Sequence, residues 1–77
     1  MDKLKLLSVM AGKGFSQRAL SQEIGMSKNS LNEKINGKRP FNADEAMDIC
    51  EALGIEDDVV KAQIFLAKSS QNKDETA

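Results

Sequence analysis

Apolar residues recur along the chain at the spacing of a helix, without the strict alternation that is typical of strands. Leu20 and Ile24 are four residues apart, as are Leu31 and Ile35, so each pair lies on one helix face. Glycines and capping residues divide the pattern into short segments. These predict five helices, at about residues 3–11, 17–24, 28–35, 42–53 and 57–68.

The predicted domain covers residues 1–68 and has an all-α fold, a compact five-helix arrangement. Residues 69–77 are polar apart from the last, Ala77, and a segment of this composition cannot bury enough apolar surface to fold. We therefore expect a polar disordered tail over residues 69–77.

Capping residues fix several of the predicted helix ends. Ser16 and Ser27 are placed to accept a backbone N–H in the next turn. Asn42, with Glu45 three residues later, predicts a capping box at the fourth helix. Gly25 ends the second helix, because glycine adopts a left-handed conformation at little cost.

The first helix has apolar residues at three- and four-residue steps, which we expect to form its buried face: Leu4, Leu7 and Met10 or Ala11. Gly12 and Gly14 are expected to end this helix.

Composition narrows the chemistry that the chain can perform. There is no His, the commonest general base and metal ligand, and the single Cys50 excludes an internal disulfide or a cysteine-rich zinc site. We interpret Cys50 as a core residue. With no Gly-rich phosphate loop and no paired catalytic carboxylates, we expect neither an enzyme nor a cofactor or metal, and no small-molecule effector.

The chain has no run of 18 apolar residues and no signal-peptide pattern at its N-terminus. We therefore expect a cytoplasmic protein without a membrane partner.

Charge is distributed unevenly, although the net charge is only -1. Residues 1–40 hold eight cationic and three anionic side chains, whereas residues 41–77 hold three cationic and nine anionic ones. Such asymmetry favours a basic face with an anionic partner, and two solvated faces without a partner are the alternative.

Two capped helices joined by a very short turn lie within residues 15–41. A joint of this length forces the helices to cross steeply, which predicts a helix-turn-helix. The second helix of the pair then projects polar side chains of the types that bind base edges in the DNA major groove. The base-reading candidates are Lys28, Asn29, Asn32 and Glu33. For Lys28 and Asn29 the alternative is an ordinary solvated surface.

A second set of polar residues flanks this helix and is suited to DNA phosphates. The N-terminus of the second helix offers free N–H groups to an anion, and two cations follow the third helix. The phosphate-binding candidates are Gln17, Arg18, Ser27, Asn36, Lys38 and Arg39.

This stretch resembles the lambda-like phage repressor and Cro family of helix-turn-helix proteins, also called the Xre type, and the likeness extends over residues 3–66. The matching features are Ser16-Gln17, Ser21, Gly25, Ser27, Leu31, Asn36-Gly37 and Ala52-Leu53-Gly54-Ile55. Residues 60–65 further resemble short phage-borne members from Gram-positive hosts.

The resemblance implies a lambda-repressor-like DNA-binding domain that reads a near-palindromic operator as a homodimer, at least on DNA. Carried over by position, it assigns Lys28, Asn29 and Glu33 to bases, and it assigns phosphate contacts to Gln17, Asn36 and Lys38.

Three features depart from the family's usual pattern. Ser21 replaces the usual Ala, and the negative charge of Glu33 requires a cytosine or a neighbouring Lys to offset it. The chain also lacks the long C-terminal domain of a full-length phage repressor, so we expect a single-domain protein of the Cro kind.

The last helix is more apolar than the edge of a monomer requires. We expect a dimer patch of Val59, Phe65 and Leu66, and completion of a small core is the alternative interpretation.

Two functions from different classes stay open. The first is sequence-specific repression on double-stranded DNA. The second is a helix-turn-helix module that binds a protein, antitoxin-like or polymerase-binding, which the net acidity favours.

Overall fold

The computed structural model describes residues 1–66, and all regular structure within them is helical, as predicted. The five helices are α1 (Lys3–Lys13), α2 (Gln17–Ile24), α3 (Lys28–Ile35), α4 (Ala43–Leu53) and α5 (Asp58–Phe65). The last helix ends at Phe65, with Leu66 as its C-cap, and so is shorter than the predicted 57–68. The tail predicted over residues 69–77 lies outside the described residues. None of the five helices is long and apolar enough to cross a membrane.

The predicted caps are confirmed at α2, α3 and α4. The Ser16 hydroxyl accepts the Ala19 N–H at 3.0 Å, and the Ser27 hydroxyl accepts the Ser30 N–H at 3.1 Å. The Asn42 side chain accepts the Glu45 N–H at 2.7 Å, while the Glu45 carboxylate accepts the Asn42 N–H at 3.0 Å. These bonds satisfy N–H groups that have no partner within their own helix.

Each helix supplies apolar side chains to one core. The buried hydrophobic residues are Leu6, Met10, Leu20, Leu31, Ile35, Ile49, Cys50, Leu53, Ile55 and Ile64. Helix α2 packs against α3 and α4, and α1 packs against α4 and α5. Packing against this core therefore fixes the positions of α2 and α3 relative to each other.

The buried face predicted for α1 is only partly right, because Met10 alone of its predicted members is fully buried. Leu6 and Met10 are buried, whereas Leu4 is 78% exposed and Leu7 is only partly buried. The apolar residues of α1 are spread around much of its circumference, so their periodicity could not identify the buried face. Packing against α5 selects it, and the Asp2 N–H donates to the carbonyl of Ile64 at 2.7 Å.

The first helix also ends later than predicted. Gly12 lies inside α1, which continues to Lys13 and ends at Gly14. Gly14 has a φ of 77°, in the left-handed region that favours glycine, and its N–H donates to the Ala11 carbonyl.

Candidate nucleic-acid interface

Helices α2 and α3 form the predicted helix-turn-helix. Only residues 25–27 separate them, and Gly25 has a φ of 71°. The Met26 N–H donates to the Ser21 carbonyl at 2.9 Å, which closes the turn. Leu20 and Leu31 are fully buried behind the joint. Their packing fixes the angle at which the outer face of α3 is presented.

Lys28 and Asn29, at the N-terminal end of α3, are exposed. Ser27, which caps this helix, is exposed beside them, and its hydroxyl oxygen is already bonded to the Ser30 N–H. The start of α3 therefore presents a cation, an amide and a hydroxyl to solvent.

Glu33 lies farther along α3 and is paired with a cation. Its Oε1 is 3.3 Å from Nη1 of Arg39, and both side chains are about half exposed. Within the protein, the charge of Glu33 is therefore offset by Arg39, a predicted phosphate ligand, and not by a neighbouring Lys. An exposed ion pair contributes only about 0–1 kcal/mol, so it can exchange for a contact to DNA.

Four polar side chains form a hydrogen-bonded row, which we call the amide chain. Lys3 Nζ donates to Asn36 Oδ1 at 2.6 Å, and Asn36 Nδ2 donates to Asn32 Oδ1 at 3.2 Å. Asn32 Nδ2 then donates to Gln17 Oε1 at 3.1 Å. The amide chain therefore connects α1, the end of α3, the middle of α3 and the first turn of α2.

The other predicted phosphate ligands flank α3. Arg18 is exposed beside Gln17 in the first turn of α2. Lys38 is exposed in the loop after α3, where its N–H donates to the Glu33 carbonyl at 2.9 Å. Arg39 lines a surface depression of about 460 Å³ together with Lys3 and Asn36. The structure thus adds Lys3 to this edge of the molecule.

From the sequence alone, a phosphate role for Lys3 is only the less favoured alternative to an ordinary surface charge, because its partner, Asn36, is 33 residues away. Its sequence context shows only an isolated cation near the N-terminus, which is typical of an ordinary surface charge. No local signal could have identified it.

A partly buried ion pair between α3 and α4 was missed by sequence reasoning. Lys34 is 9% exposed, and its Nζ lies 2.5 Å from Oε2 of Glu45. The hydrogen bond from Lys34 and the backbone N–H of Asn42 lower the pKa of the Glu45 carboxyl. The ammonium of Lys34 is therefore paired within the protein and is largely removed from solvent.

The same pair distinguishes Glu45 from the other acidic residues of α4. Asp44, Asp48 and Glu51 are exposed, whereas Glu45 bonds to Lys34. Asp48 and Glu51 line a depression with Glu23, near the C-terminal end of α2. Acidic side chains thus gather at the end of α2 opposite to Gln17.

The predicted dimer patch is only partly exposed. Val59 and Leu66 are 63% and 75% exposed, but Phe65 is half-buried. The Phe65 ring packs edge-to-face against Phe41, with ring centres 5.8 Å apart. Met47, 61% exposed, and Leu66 both line a groove of about 280 Å³ between α4 and α5. Exposed apolar side chains therefore lie near the end of α5.

Comparison with known families gives one match that covers most of the chain. The model of the Cro/C1-type HTH DNA-binding domain matches residues 5–56, which include α2, α3 and α4. Neither a curated protein nor a solved structure matches the chain.

Proposed function

Because the chain belongs to the Cro/C1-type helix-turn-helix DNA-binding domain family, we propose that it represses transcription by binding a specific sequence of double-stranded DNA. One observation carries this proposal: Lys28 and Asn29 are exposed at the start of α3. Neither side chain makes a hydrogen bond or ion pair to another residue within 1–66. Both are therefore available to base edges.

The proposed complex has α3 in the major groove. Lys28 donates to guanine O6 or N7, and Asn29 forms two hydrogen bonds with adenine. Glu33 accepts a hydrogen bond from cytosine N4. In the absence of DNA, Glu33 is paired with Arg39. Gln17 and Lys38, on either side of α3, contact the phosphates that set its position.

We also propose that two copies bind together to a near-palindromic operator. A single α3 covers only a few base pairs, and a two-fold dimer places its two copies about 34–36 Å apart, one turn of DNA. The exposed Val59 and Leu66 supply apolar surface for this contact. For the biological role, the more specific prediction is a phage or prophage repressor of the Cro kind.

The alternative is a module that binds another protein through the same fold. The acidic depression lined by Glu23, Asp48 and Glu51 favours it, because that surface would repel DNA and attract a basic partner.

Selection from a pool of random-sequence duplexes, at about 0.1 M salt, tests the proposal. Sequencing of the retained duplexes should give a motif with two-fold symmetry. An asymmetric motif would keep specific DNA binding but exclude the dimer. A folded protein that enriches no sequence would exclude the proposed function and favour the protein-binding alternative.

The salt dependence of affinity provides an independent check. Displacement of counterions makes log K fall with log salt by about 0.9 per phosphate contacted. A slope near zero would show that the phosphate ligands proposed above do not contact DNA.

A further inference from the structure

The amide chain has only one possible direction. A Lys ammonium can donate hydrogen bonds but cannot accept them, so Lys3 must bind the oxygen of the Asn36 amide. The Asn36 amide then has only its NH₂ group left to offer Asn32, and Asn32 in turn offers its NH₂ group to Gln17. Lys3 therefore sets the orientation of all three amides.

At the far end, this direction engages the Gln17 oxygen and leaves the Gln17 NH₂ group for other partners. An NH₂ group suits a phosphate, whereas an amide oxygen would be repelled by it. Gln17 also lies in the first turn of α2, where free backbone N–H groups attract anions. The Gln17 side chain thus presents its NH₂ group, a hydrogen-bond donor, at a helix end that attracts anions.

Resting on the proposed function, we propose that Asn32 is a positioning residue for phosphate binding, in place of the base-reading role expected from its place on α3. Asn32 accepts one N–H of Asn36 and donates to the Gln17 oxygen, which leaves the Gln17 NH₂ group and the second N–H of Asn36 for the DNA backbone. Lys3, whose ammonium keeps two further N–H groups, belongs to the same phosphate-binding edge.

Bonding within the protein argues against base reading by Asn32. An Asn that reads adenine uses both its oxygen and its NH₂ group. In Asn32 both groups already have partners, at 3.2 and 3.1 Å. Turning this amide toward a base would break two hydrogen bonds and release Gln17. Asn29 has no such side-chain hydrogen bonds within the described residues, so its amide is available to bind a base edge.

The test compares Asn32→Ala with Asn29→Ala, each assayed against the selected operator and every single-base variant of it. Asn32→Ala should weaken binding to all duplexes by the same factor, about 10-fold, and leave the base preferences unchanged. Because the lost contact is neutral, its salt slope should equal that of the parent. Asn29→Ala should relax one base position.

A double-mutant cycle tests whether Asn32 affects DNA binding through Gln17. In a Gln17→Ala background, Asn32→Ala should weaken binding by a smaller factor than in the parent, because only Asn36 is then left for it to position. Lys3→Met should weaken all duplexes evenly and lower the salt slope by about 1, whereas Lys13→Met is the matched control at the other end of α1. Thermal melting of each variant verifies that it is folded.

Two results would overturn the inference while leaving the proposed function intact. One is a changed base preference in Asn32→Ala, and the other is losses from Asn32→Ala and Gln17→Ala that multiply. A parent protein that binds no duplex would overturn the proposed function itself, together with this inference.

Discussion

Asn29 and Lys38 are both exposed polar residues, and the proposed function assigns them different contacts with DNA. Asn29→Ala should cost about 1–3 kcal/mol of binding free energy and relax discrimination at one base pair. Lys38→Ala should weaken binding evenly across sequences and reduce the salt slope by about 1, because it removes a single charge–phosphate contact. Fluorescence anisotropy against a set of single-base operator variants measures both effects.

If both variants bind every sequence as the parent does, α3 is not the recognition helix. Ser8→Ala, an exposed position on α1 outside the proposed interface, is a control that should leave affinity and specificity unchanged.

The Cys50 side chain is 4% exposed, and burial raises the pKa of its thiol, although the charge of Lys61 opposes this in part. Since the thiolate is the reactive form, Cys50 should react with an aromatic disulfide reagent at least about 100-fold more slowly in the native protein than in urea. Absorbance of the released thiolate follows the reaction. Equal rates in both states would show that Cys50 is not a core residue.

At the scale of the helices, the Lys34–Glu45 pair joins α3 to α4. Glu45→Gln should lower the free energy of unfolding by about 1–3 kcal/mol, because it leaves the buried ammonium without an anion. Lys34→Met should cost only about 0–1 kcal/mol, because the remaining carboxylate is more exposed and still accepts the Asn42 N–H. Urea denaturation at neutral pH measures both, and the opposite ranking would contradict the burial of Lys34.

The same pair makes stability depend on pH. The pKa of Glu45 is lowered in the folded protein, so its contribution is present above the ordinary glutamate pKa and is lost as pH falls below it. The stability difference between the parent and Glu45→Gln should therefore shrink between about pH 6 and pH 3. A difference that stays constant over this range would exclude the charged pair as its source.

The boundaries of the helices were predictable because a capping residue lies within a few residues of the backbone groups that it bonds. Ser16, Ser27 and Asn42 bond to N–H groups within three residues, so the sequence alone reveals them. The inward face of α1 depends on α5, more than fifty residues away, and could not be read from its own pattern.

Predictability of the site follows the same rule. The polar positions of α3 follow from helical spacing, but the partners of Asn32, Glu33 and Lys34 come from α2, the following loop and α4. Those partners decide what each side chain can do, and only the folded chain brings them together.

For the whole molecule, the proposed dimer depends on the exposed end of α5. Leu66→Asp should abolish self-association, since it places a charge in an apolar contact, but should leave unfolding unchanged because Leu66 is 75% exposed. Operator affinity should fall with it. Sedimentation equilibrium, with and without operator, measures both, and Ser8→Asp is the charge-matched control.

A Leu66→Asp protein that sediments and binds as the parent does would exclude this surface as the dimer contact. Phe65→Ala is not suitable for the test, because Phe65 packs on Phe41 and its loss would destabilise the fold.

The opposed charges at the two ends of α2 have a consequence for how the protein meets DNA. Gln17 and Arg18 occupy the end where the peptide dipoles leave partial positive charge, whereas Glu23 gathers with Asp48 and Glu51 near the other end. With a net charge of -1, the molecule as a whole is weakly repelled by a polyanion. The field of the duplex nevertheless exerts a torque that turns the α2 N-terminus toward it. Long-range electrostatics should then act mainly on the angle of approach, by favouring encounters in which the proposed reading surface faces the groove.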